Sequence, residues 1–325
     1  MKIAIIGAGI AGLRCAQILQ LHGINVSIFE KSKRPSGRIS TKFMDDWYCD
    51  HGAQYFTAKT LIFLKEIDIW KQNKIIDIWN PKIYVYENDI FENKSSPINR
   101  YVGVPSMSEI GKFMAKNLNI HYSKLINKIE KKSEGWILHF NESKTCDSFN
   151  WVIMAIPAPQ AYPLIKNYTY EIEPLMVQAN MKGCWTMMIK FNNSQNINYD
   201  AAFINQGPIS WLANNKSKPN RENFDIWTIN TNSNWSQKNI NLKPFFVKKK
   251  IIKSLKEFGF TFENYDYKIH RWLYALSNKK VLKGSILNES KKIGICGDWL
   301  NGGRVEGAWL SGNELAFKLL DKINK

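Results

Sequence analysis

Apolar and polar positions in the first thirty residues form short blocks. Residues 2–6 are a short, largely apolar run, and residues 26–29 are a second apolar run that ends at Glu30. Between them lie the glycine-rich segment Gly7–Gly12 and residues 13–21, which carry apolar side chains at helical spacing. Short apolar runs bounded by glycine are typical of buried strands. The pattern therefore predicts a strand, a glycine turn, a helix and a second strand.

Each part of this pattern has a physical role in a dinucleotide-binding site. Gly7 permits a tight turn, Gly9 lets the backbone approach a pyrophosphate, and Gly12 lets the helix pack closely on the sheet. The pyrophosphate then lies on free N–H groups at the helix N-terminus. Glu30 is placed to accept hydrogen bonds from both hydroxyls of an adenosine ribose. The residues predicted to contact the dinucleotide here are Gly7, Gly9, Ile10, Ala11, Gly12, Glu30 and Lys31.

NAD and FAD sites share this fingerprint, and three further segments favour FAD. The loop Arg34–Thr41 is basic and contains a glycine, so it can run back along the pyrophosphate and flavin. The run Ile293–Cys296 predicts a strand, after which Asp298 is placed to bind ribityl hydroxyls. Gly302–Ala308 then opens a last helix over Trp309–Ile323, whose N-terminus can direct N–H groups at the flavin. The residues predicted to bind the cofactor from these segments are Gly37, Arg38, Gly297, Asp298, Arg304, Val305, Glu306 and Ala308, with Gln54 as a further contact.

The residue pattern in the middle of the chain predicts additional strands. Trp151–Pro157 has the pattern of a strand that returns to the nucleotide sheet and is ended by proline. Ile126–Lys131 and Trp136–Phe140 are predicted to pair around the turn at Gly135. Short runs rich in β-branched and aromatic residues follow and suit an antiparallel sheet. These runs are Cys184–Phe191, Ala201–Ile204, Ile209–Leu212 and Ile226–Thr231.

These elements together predict an α/β fold, α+β overall. A Rossmann-like FAD-binding domain is interrupted by an inserted antiparallel-sheet substrate domain. The predicted FAD-binding domain comprises residues 1–59, 101–162 and 266–325, and the substrate domain comprises residues 60–100 and 163–265. A chain of 325 residues has room for these two domains and little else.

The formal net charge of +17 suggests an anionic partner, but the type of basic residue argues against nucleic acid. Only seven of the 45 basic residues are Arg, whereas bidentate recognition of phosphate and guanine favours Arg. The densest run, Lys248–Lys250 with Lys253 and Lys256, lies in a helical pattern and is interpreted as a solvated face. The composition therefore predicts no nucleic-acid partner.

Hydropathy and cysteine spacing exclude other classes of protein. No apolar run reaches the roughly 18–20 residues needed to cross a bilayer, so no membrane partner is predicted. The five cysteines are widely spaced and form no CxxC motif or cluster with His, which predicts neither a disulfide framework nor a metal site. Reduced thiols predict a cytoplasmic protein. Cys49 and Cys296 are interpreted as small buried side chains, so the predicted FAD is non-covalent.

Several stretches resemble the renalase branch of the FAD-dependent amine-oxidase-like superfamily. They lie at both ends of the chain, so the resemblance spans its full length. One residue departs from the superfamily pattern. Relatives commonly have two adjacent glycines before the arginine, whereas this chain has Ser36 and Gly37 before Arg38. The superfamily stretches are Gly7–Gly12 with Glu30 and Ser36–Arg38, and the renalase-like ones are Asp50–Thr57, His270–Ala275, and Gly297–Trp299 with Gly302–Gly312.

The resemblance implies oxidation of the 2- and 6-dihydro isomers of NAD(P) to NAD(P)+, with hydride transfer to flavin N5 and reduction of O2 to hydrogen peroxide. A dihydropyridine is already a hydride donor, so the protein has to supply a dry pocket, stacking distance and stabilisation of reduced flavin rather than an acid or base. The substrate-pocket candidates are His270, Tyr55, Trp272 and Gln54, none as an obligatory acid or base. Four other aromatic residues are pocket candidates, although a single aromatic side chain is more often part of the core than of a cofactor pocket: Phe56, Tyr274, Trp299 and Trp309.

Other interpretations stay open from the sequence. His51 follows Asp50 directly, and adjacent side chains of an extended segment point to opposite faces, so His51 is interpreted as structural. The same fold also suits an FAD-dependent amine oxidase or a desaturase acting on another small molecule. A flavin-binding redox sensor without turnover is the third function considered.

Overall fold

The computed structural model describes residues 1–94, 97–140, 144–145, 148–170 and 172–323 of the chain. The helices are α1 Ile10–Leu21, α2 Leu61–Gln72, α3 Ser108–Met114, α4 Ala158–Ile165, α5 Ile172–Ala179, α6 Ser233–Lys238, α7 Pro244–Glu257 and α8 Arg304–Ile323. The strands are β1 Lys2–Ile6, β2 Asn25–Phe29, β3 Thr41–Phe43, β4 Tyr48–Asp50, β5 Ile76–Trp79, β6 Ile83–Glu87, β7 Ile90–Asn93, β8 Arg100–Gly103, β9 Ile120–His121, β10 Ile126–Lys132, β11 Gly135–Phe140, β12 Lys144–Thr145, β13 Trp151–Met154, β14 Met181–Phe191, β15 Ala201–Ile204, β16 Ile209–Asn214, β17 Asp225–Thr231, β18 Tyr265–Ser277, β19 Ile286–Asn288 and β20 Ile293–Ile295. Within these described ranges, no helix combines the length and apolarity needed to span a bilayer.

A six-stranded sheet has the strand order β19–β20–β13–β1–β2–β9. β1 pairs in parallel with β2 on one side and with β13 on the other, so a strand from the middle of the chain lies beside the N-terminal one. Residues 3–6 of β1 are all buried, as expected for a central parallel strand that is covered on both faces. This confirms the predicted strand, glycine turn, helix and strand, and the return of residues 151–154 to the same sheet.

Helices α1 and α8 cross at very close range. A Cβ atom at Gly312 of α8 would lie 2.1 Å from the carbonyl oxygen of Ala11, so the crossing requires a residue without a side chain. Arg14 of α1 donates to Asn313 Oδ1 at 3.1 Å, and its guanidinium lies 4.2 Å from the ring centroid of Trp309. The N-terminal turn of α1 is thereby fixed against the C-terminal helix.

A second, seven-stranded sheet has the order β18–β14–β17–β16–β15–β6–β7. Its pairings are antiparallel except for that between β15 and β6, which is parallel. Helix α7 packs three buried side chains, Val247, Ile251 and Leu255, into the same core cluster as residues of this sheet. The four short strands predicted between residues 184 and 231 are confirmed, as is the antiparallel pairing of β10 with β11.

Two predicted boundaries differ from the structure. α8 begins at Arg304 rather than at Trp309, because Gly302 and Gly303, with φ angles of 73° and 80°, complete the preceding turn. β18 begins at Tyr265 and pairs with β14, so residues on the C-terminal side of the predicted boundary at residue 265 belong to the seven-stranded sheet. The division of the chain into FAD-binding and substrate domains stays a prediction.

Candidate cofactor and substrate site

The glycine turn after β1 contains three glycines with different surroundings. Gly7 has a φ of +108°, and a Cβ atom there would lie 2.6 Å from the carbonyl oxygen of Ala155. A Cβ atom at Gly12 would lie 2.1 Å from the carbonyl oxygen of Gly7, so α1 can pack on the turn only without a side chain. At Gly9, by contrast, a Cβ atom would meet no heavy atom of the described residues within 4 Å apart from its chain neighbours. The open side of the turn is therefore at Gly9.

Helix α1 begins at this open side. Its N-cap is Gly9, which offers no side chain, and its first turn, all of it described, contains no acidic residue. The first N–H groups of a helix have no partner within the helix, and the helix dipole favours negative charge there. The N–H groups around Ile10 and Ala11 are therefore available to an anion, as a pyrophosphate site requires.

Glu30 follows β2 and is buried beside the glycine turn. One of its carboxylate oxygens accepts from the N–H of Ala8 at 2.8 Å, and the other accepts from the N–H of Ser32 at 2.8 Å. A carboxylate can accept about four hydrogen bonds, so these two leave acceptor directions for ribose hydroxyls. Lys31, which is also predicted to bind the cofactor, is exposed next to it.

The loop that contains Ser36 is attached to the glycine turn. The Ser36 N–H donates to the carbonyl oxygen of Ala8 at 3.0 Å. Ser36 has a φ of 102°, a conformation that favours glycine, which explains why relatives commonly have glycine here. Its hydroxyl donates to the carbonyl oxygen of Ser108 at 3.1 Å, and a Cβ atom at Gly111 would lie only 2.2 Å from that hydroxyl. Gly111 therefore provides the space that the serine side chain needs.

Arg38 and Asp298, both predicted to bind the cofactor, form a two-pronged ion pair. Arg38 Nη1 lies 3.1 Å from Asp298 Oδ2, and Nη2 donates to Oδ1. Arg38 Nη1 also donates to the carbonyl oxygen of Ala275 in β18 at 3.4 Å. The contact brings the loop after β2, the end of β18 and the segment after β20 together. Such forked contacts fix orientation as well as position.

Three aromatic side chains form a cluster near this junction, and we call His51, His270 and Trp272 the imidazole–indole cluster. The ring of His51 is stacked on Trp272 with centroids 5.0 Å apart, and it meets His270 edge-on at 4.9 Å. Trp272 Nε1 donates to the carbonyl oxygen of His51 at 3.0 Å. Two of the four predicted pocket residues, His270 and Trp272, are therefore in contact, and His51, interpreted from the sequence as structural, lies between β18 and the segment after β4.

Both imidazoles of the cluster are held neutral. Burial, with smaller effects of His270 and Lys42, lowers the pKa of His51 to about 3. Burial and the positive charge of Lys42 lower the pKa of His270 to about 4. The Nδ1 atom of His51 has no hydrogen-bond partner among the residues that the structure describes. The cluster is thus an uncharged aromatic surface on which one ring nitrogen has no partner among the described residues.

A buried ion cluster includes Asp50, the residue before His51, and no sequence pattern indicates it. Asp50 Oδ2 accepts from Lys218 Nζ at 3.1 Å and from Arg221 Nη2 at 2.7 Å, and all three side chains are fully buried. Burial alone would raise the pKa of Asp50, but the two cations and the hydroxyl of Thr41 hold it well below its usual range. Lys218 Nζ also lies 3.2 Å from Gln54 Oε1, so the predicted residue Gln54 is fixed by this cluster.

Comparisons with known proteins agree with this geometry. Residues 5–63 match the family model of an NAD(P)-binding Rossmann-like domain. A coproporphyrinogen III oxidase from Staphylococcus aureus is 33% identical over 110 residues, which is 32% of this chain and 23% of that protein. An L-amino-acid oxidase from Crotalus adamanteus is 35% identical over 71 residues, which is 21% of this chain and 14% of that protein. The chain thus matches less than a quarter of the length of these curated relatives.

Solved structures match over nearly the whole chain. A provisionally named protoporphyrinogen oxidase from Exiguobacterium sp. 255-15 has a TM-score of 0.82 at 12% identity, with 99% of each chain covered. Cyclohexylamine oxidase from Brevibacterium oxydans has a TM-score of 0.75 at 12% identity, covering 100% of this chain and 99% of that one. The chain has the fold of the amine-oxidase-like FAD-dependent oxidoreductases. At this identity the likeness establishes the fold alone.

The first residues of α8 in this oxidoreductase fold contact other parts of the chain, and the predicted cofactor contacts of Arg304 and Glu306 stay predictions. The carboxylate of Glu306 accepts from the N–H of Thr60 at 2.7 Å and from its hydroxyl at 2.8 Å, so it caps α2. Arg304 is exposed, and Arg38 rather than Arg304 pairs with Asp298. A Cβ atom at Gly307 would lie 2.3 Å from the carbonyl oxygen of Asn301, so α8 begins in close contact with the preceding turn. The predicted cofactor contacts of Gly37, Gly297, Val305 and Ala308 stay predictions.

The remaining aromatic candidates divide between two places in this fold. Tyr55 lies in a second aromatic cluster, 6.0 Å from Trp79 and 5.8 Å from Trp211 between ring centroids. Its predicted place in the substrate pocket stays a prediction. Phe56, Trp299 and Trp309 are almost completely buried members of the core clusters, which agrees with the alternative interpretation of each as a core side chain.

The described cysteines are free thiols and all are buried. Cys49 Sγ lies 2.9 Å from the hydroxyl of Thr228, and burial raises the pKa of this thiol to about 12. Cys146 lies outside the described residues. Among the described side chains, no group of three or more His, Cys, Asp and Glu residues is arranged to hold a metal ion. A thiol with a raised pKa is a poor nucleophile, so Cys49 is unsuited to covalent flavin attachment.

Proposed function

We propose that this protein is a renalase-like, FAD-dependent oxidase of dihydronicotinamides. Its proposed substrates are the 2- and 6-dihydro isomers of NAD(P), its products are NAD(P)+ and hydrogen peroxide, and O2 is the electron acceptor. FAD is proposed to bind non-covalently. The free, buried thiols suit the proposed location in the reducing cytoplasm. The proposal keeps the two-domain division, with the FAD held mainly by the six-stranded sheet.

The residues around the glycine turn fit the dinucleotide part of FAD. Open space lies above Gly9, the N–H groups at the start of α1 face it, and Glu30 keeps acceptor directions free at the ends of β1 and β2. Asp298 and Arg38 lie near the ends of β18 and β20. We therefore propose that they contact the middle part of the cofactor. FAD, when bound, supplies the hydride acceptor and passes the electrons to O2.

The observation that carries the choice of substrate is the charge of the imidazole–indole cluster. Its two imidazoles are neutral at physiological pH, and the positive charge of Lys42 contributes to the lowered pKa of each. The same positive potential disfavours an alkylammonium ion in contact with the cluster. A dihydronicotinamide ring is neutral, and the phosphates attached to it are anionic. The electrostatics therefore favour a dihydronicotinamide dinucleotide over a protonated amine.

The orientation of Trp272 gives the cluster its rigidity. Its indole N–H donates to the His51 carbonyl, and its ring is stacked on the His51 imidazole. A planar ring held in this way provides a surface on which a planar substrate ring can lie. Ala275, whose carbonyl contacts Arg38, is three residues further along β18, or about 10 Å at the rise of an extended strand. The cluster is therefore close to the proposed cofactor contacts without overlapping them.

An anaerobic mixing experiment with FAD-loaded protein tests the substrate. The 2- and 6-dihydro isomers of NAD and NADP, ordinary 4-dihydro NADH, cyclohexylamine and a porphyrinogen are mixed separately with the protein, and flavin absorbance is followed. We expect rapid bleaching by the 2- and 6-dihydro isomers only. Bleaching by cyclohexylamine would favour the amine-oxidase alternative. FAD-loaded protein that none of these compounds bleaches would favour a redox sensor.

A further inference from the structure

We propose that His51 is a ligand-binding residue whose Nδ1 atom forms a hydrogen bond with a neutral polar group on a planar ring. Two sources share this chemistry: the imide of a flavin and the carboxamide of a nicotinamide. The inference rests on the proposed function only in that the bound molecule is a flavin or its nicotinamide substrate. It assigns a role to a residue that sequence reasoning interpreted as structural.

The first observation is an unsatisfied atom in the interior. His51 is only 6% exposed, and its Nδ1 has no hydrogen-bond partner among the described residues. Buried polar atoms in folded proteins nearly always have a partner, because an unpaired one loses its hydrogen bonds to water without replacement. An exception beside a candidate site is explained if the partner arrives with a ligand.

The second observation is the charge of the ring. Burial lowers the pKa of His51 to about 3, so the imidazole is neutral and each of its nitrogens is either a donor or an acceptor. An imide or a carboxamide supplies both an N–H donor and a carbonyl acceptor, so either group can pair with Nδ1.

The third observation is the surroundings of the ring. One face of His51 is stacked on Trp272, and His270 meets it edge-on, so the nearest walls are planar and aromatic. The positive charge of Lys42 acts on both imidazoles, which disfavours a cationic donor such as an ammonium group. A neutral polar group on a flat ring satisfies both conditions. The flavin imide and the nicotinamide carboxamide each have this chemistry.

The test compares His51→Leu, which has a similar volume and no acceptor, with the wild-type protein. Three quantities are measured: the unfolding free energy of the apoprotein, the Kd for FAD, and the Kd for NAD+ with FAD-loaded protein. Because Nδ1 is unpaired without a ligand, we expect the Leu variant of the apoprotein to be at least as stable as wild type. We expect one of the two Kd values to rise about 3- to 10-fold, the range that one hydrogen bond supports.

The arms of the experiment separate the two sources. A weaker Kd for FAD assigns the hydrogen bond to the flavin imide, and a weaker Kd for NAD+ alone assigns it to the carboxamide. His51→Asn retains a short polar group at the same place, and we expect it to recover most of the lost affinity. Tyr199→Phe is the matched control, because the Tyr199 hydroxyl also has no hydrogen-bond partner among the described residues but lies in the core of the seven-stranded sheet. This control should leave both Kd values unchanged.

Three outcomes would overturn the proposal. They are unchanged Kd values for both FAD and NAD+ in His51→Leu, an apoprotein of that variant that is clearly less stable or fails to fold, and no recovery by His51→Asn. The last two indicate a structural role. The FAD measurement needs no turnover, so a weaker Kd for FAD supports His51 as a ligand-binding residue even if dihydronicotinamides fail to bleach the flavin. That failure would reject the proposed substrate alone.

Discussion

The two ends of the candidate site are built in different ways. The dinucleotide end consists of the backbone of the glycine turn together with the carboxylate of Glu30, all within the first thirty residues, and its contacts are local. The ring end consists of side chains from distant segments: Asp50 meets Lys218 across 168 positions, and Trp272 meets His51 across 221. A site made of backbone is specified by a contiguous motif, whereas one made of side chains depends on how the whole chain packs.

The largest effect is expected from breaking the ion cluster beneath the ring end. Asp50→Asn removes the only carboxylate that the described contacts give to the fully buried Lys218 and Arg221. Two buried cations are then left without a counter-charge, and we expect a loss of about 3–5 kcal/mol in the free energy of unfolding, measured with urea. Glu92→Gln, which breaks the exposed pair with Lys94, is the control and should leave stability unchanged.

Asp50→Asn should also change how the free energy of unfolding depends on pH. Because the pKa of Asp50 is lowered by folding, its contribution to stability is present above about pH 4, the value for an unfolded Asp, and is lost as pH falls further. Asp50→Asn should therefore be less stable than wild type at pH 7, and this difference should shrink as the pH falls below 4. An equal difference at pH 7 and pH 3 would contradict the ion cluster as described.

The dinucleotide end is tested by a pair of glycine substitutions. Gly12→Ala places a methyl group 2.1 Å from the Gly7 carbonyl, so we expect the apoprotein to lose about 1–3 kcal/mol of stability. Gly9→Ala places its methyl group in open space, so the apoprotein should keep its stability to within about 0.5 kcal/mol. FAD affinity, measured by fluorescence titration, should nevertheless fall in Gly9→Ala. Unchanged affinity there would place the pyrophosphate elsewhere.

A smaller effect is expected at the ring end from Trp272→Phe. The substitution keeps an aromatic ring but removes the hydrogen bond to the His51 carbonyl, which is worth about 0.5–1.5 kcal/mol. We expect the anaerobic rate of flavin reduction to fall about 2- to 10-fold as the ring loses its orientation. Trp136→Phe removes an equivalent bond to the Lys291 carbonyl in another part of the chain, and the rate should not change. Equal rates of flavin reduction in the two variants would show that Trp272 does not contribute to the site.

The smallest effect is expected from changing the pH at which flavin reduction is measured. The pKa values of His51 and His270 are about 3 and about 4, so neither imidazole titrates between pH 5 and pH 8. The rate of flavin reduction should therefore be constant over this range, as measured by stopped-flow absorbance. An inflection between pH 6 and pH 7 that His270→Asn abolishes would show that a histidine changes its charge during the reaction.

Sequence reasoning recovered the elements that have distinct local patterns. The glycine turn, the strand at residues 151–154 and the antiparallel strands between 184 and 231 all follow from hydrophobic spacing and glycine chemistry. The start of α8 was predicted too late because a run of small and polar residues can continue a turn or begin a helix. The positive φ angles of Gly302 and Gly303 decide between the two.

The ring end could be predicted only in part. His270 and Trp272 alternate along one strand and therefore share a face, which is a local property. Lys218 lies in a loop rich in Lys and Asn, where nothing in the sequence distinguishes it from an exposed lysine. Its burial results from the approach of Asp50 and Gln54 from another segment. The unpaired Nδ1 atom of His51 likewise results from packing, so no sequence pattern indicates it.

The most direct test of the central claim is an anaerobic titration of the FAD-loaded protein with the 6-dihydro isomer of NAD. Flavin absorbance and the NAD+ formed are measured together at each addition. The proposed function predicts one NAD+ formed for each flavin bleached, followed by recovery of the flavin spectrum and formation of hydrogen peroxide when O2 is admitted. Bleaching without NAD+, or no bleaching by protein that holds FAD, would contradict it.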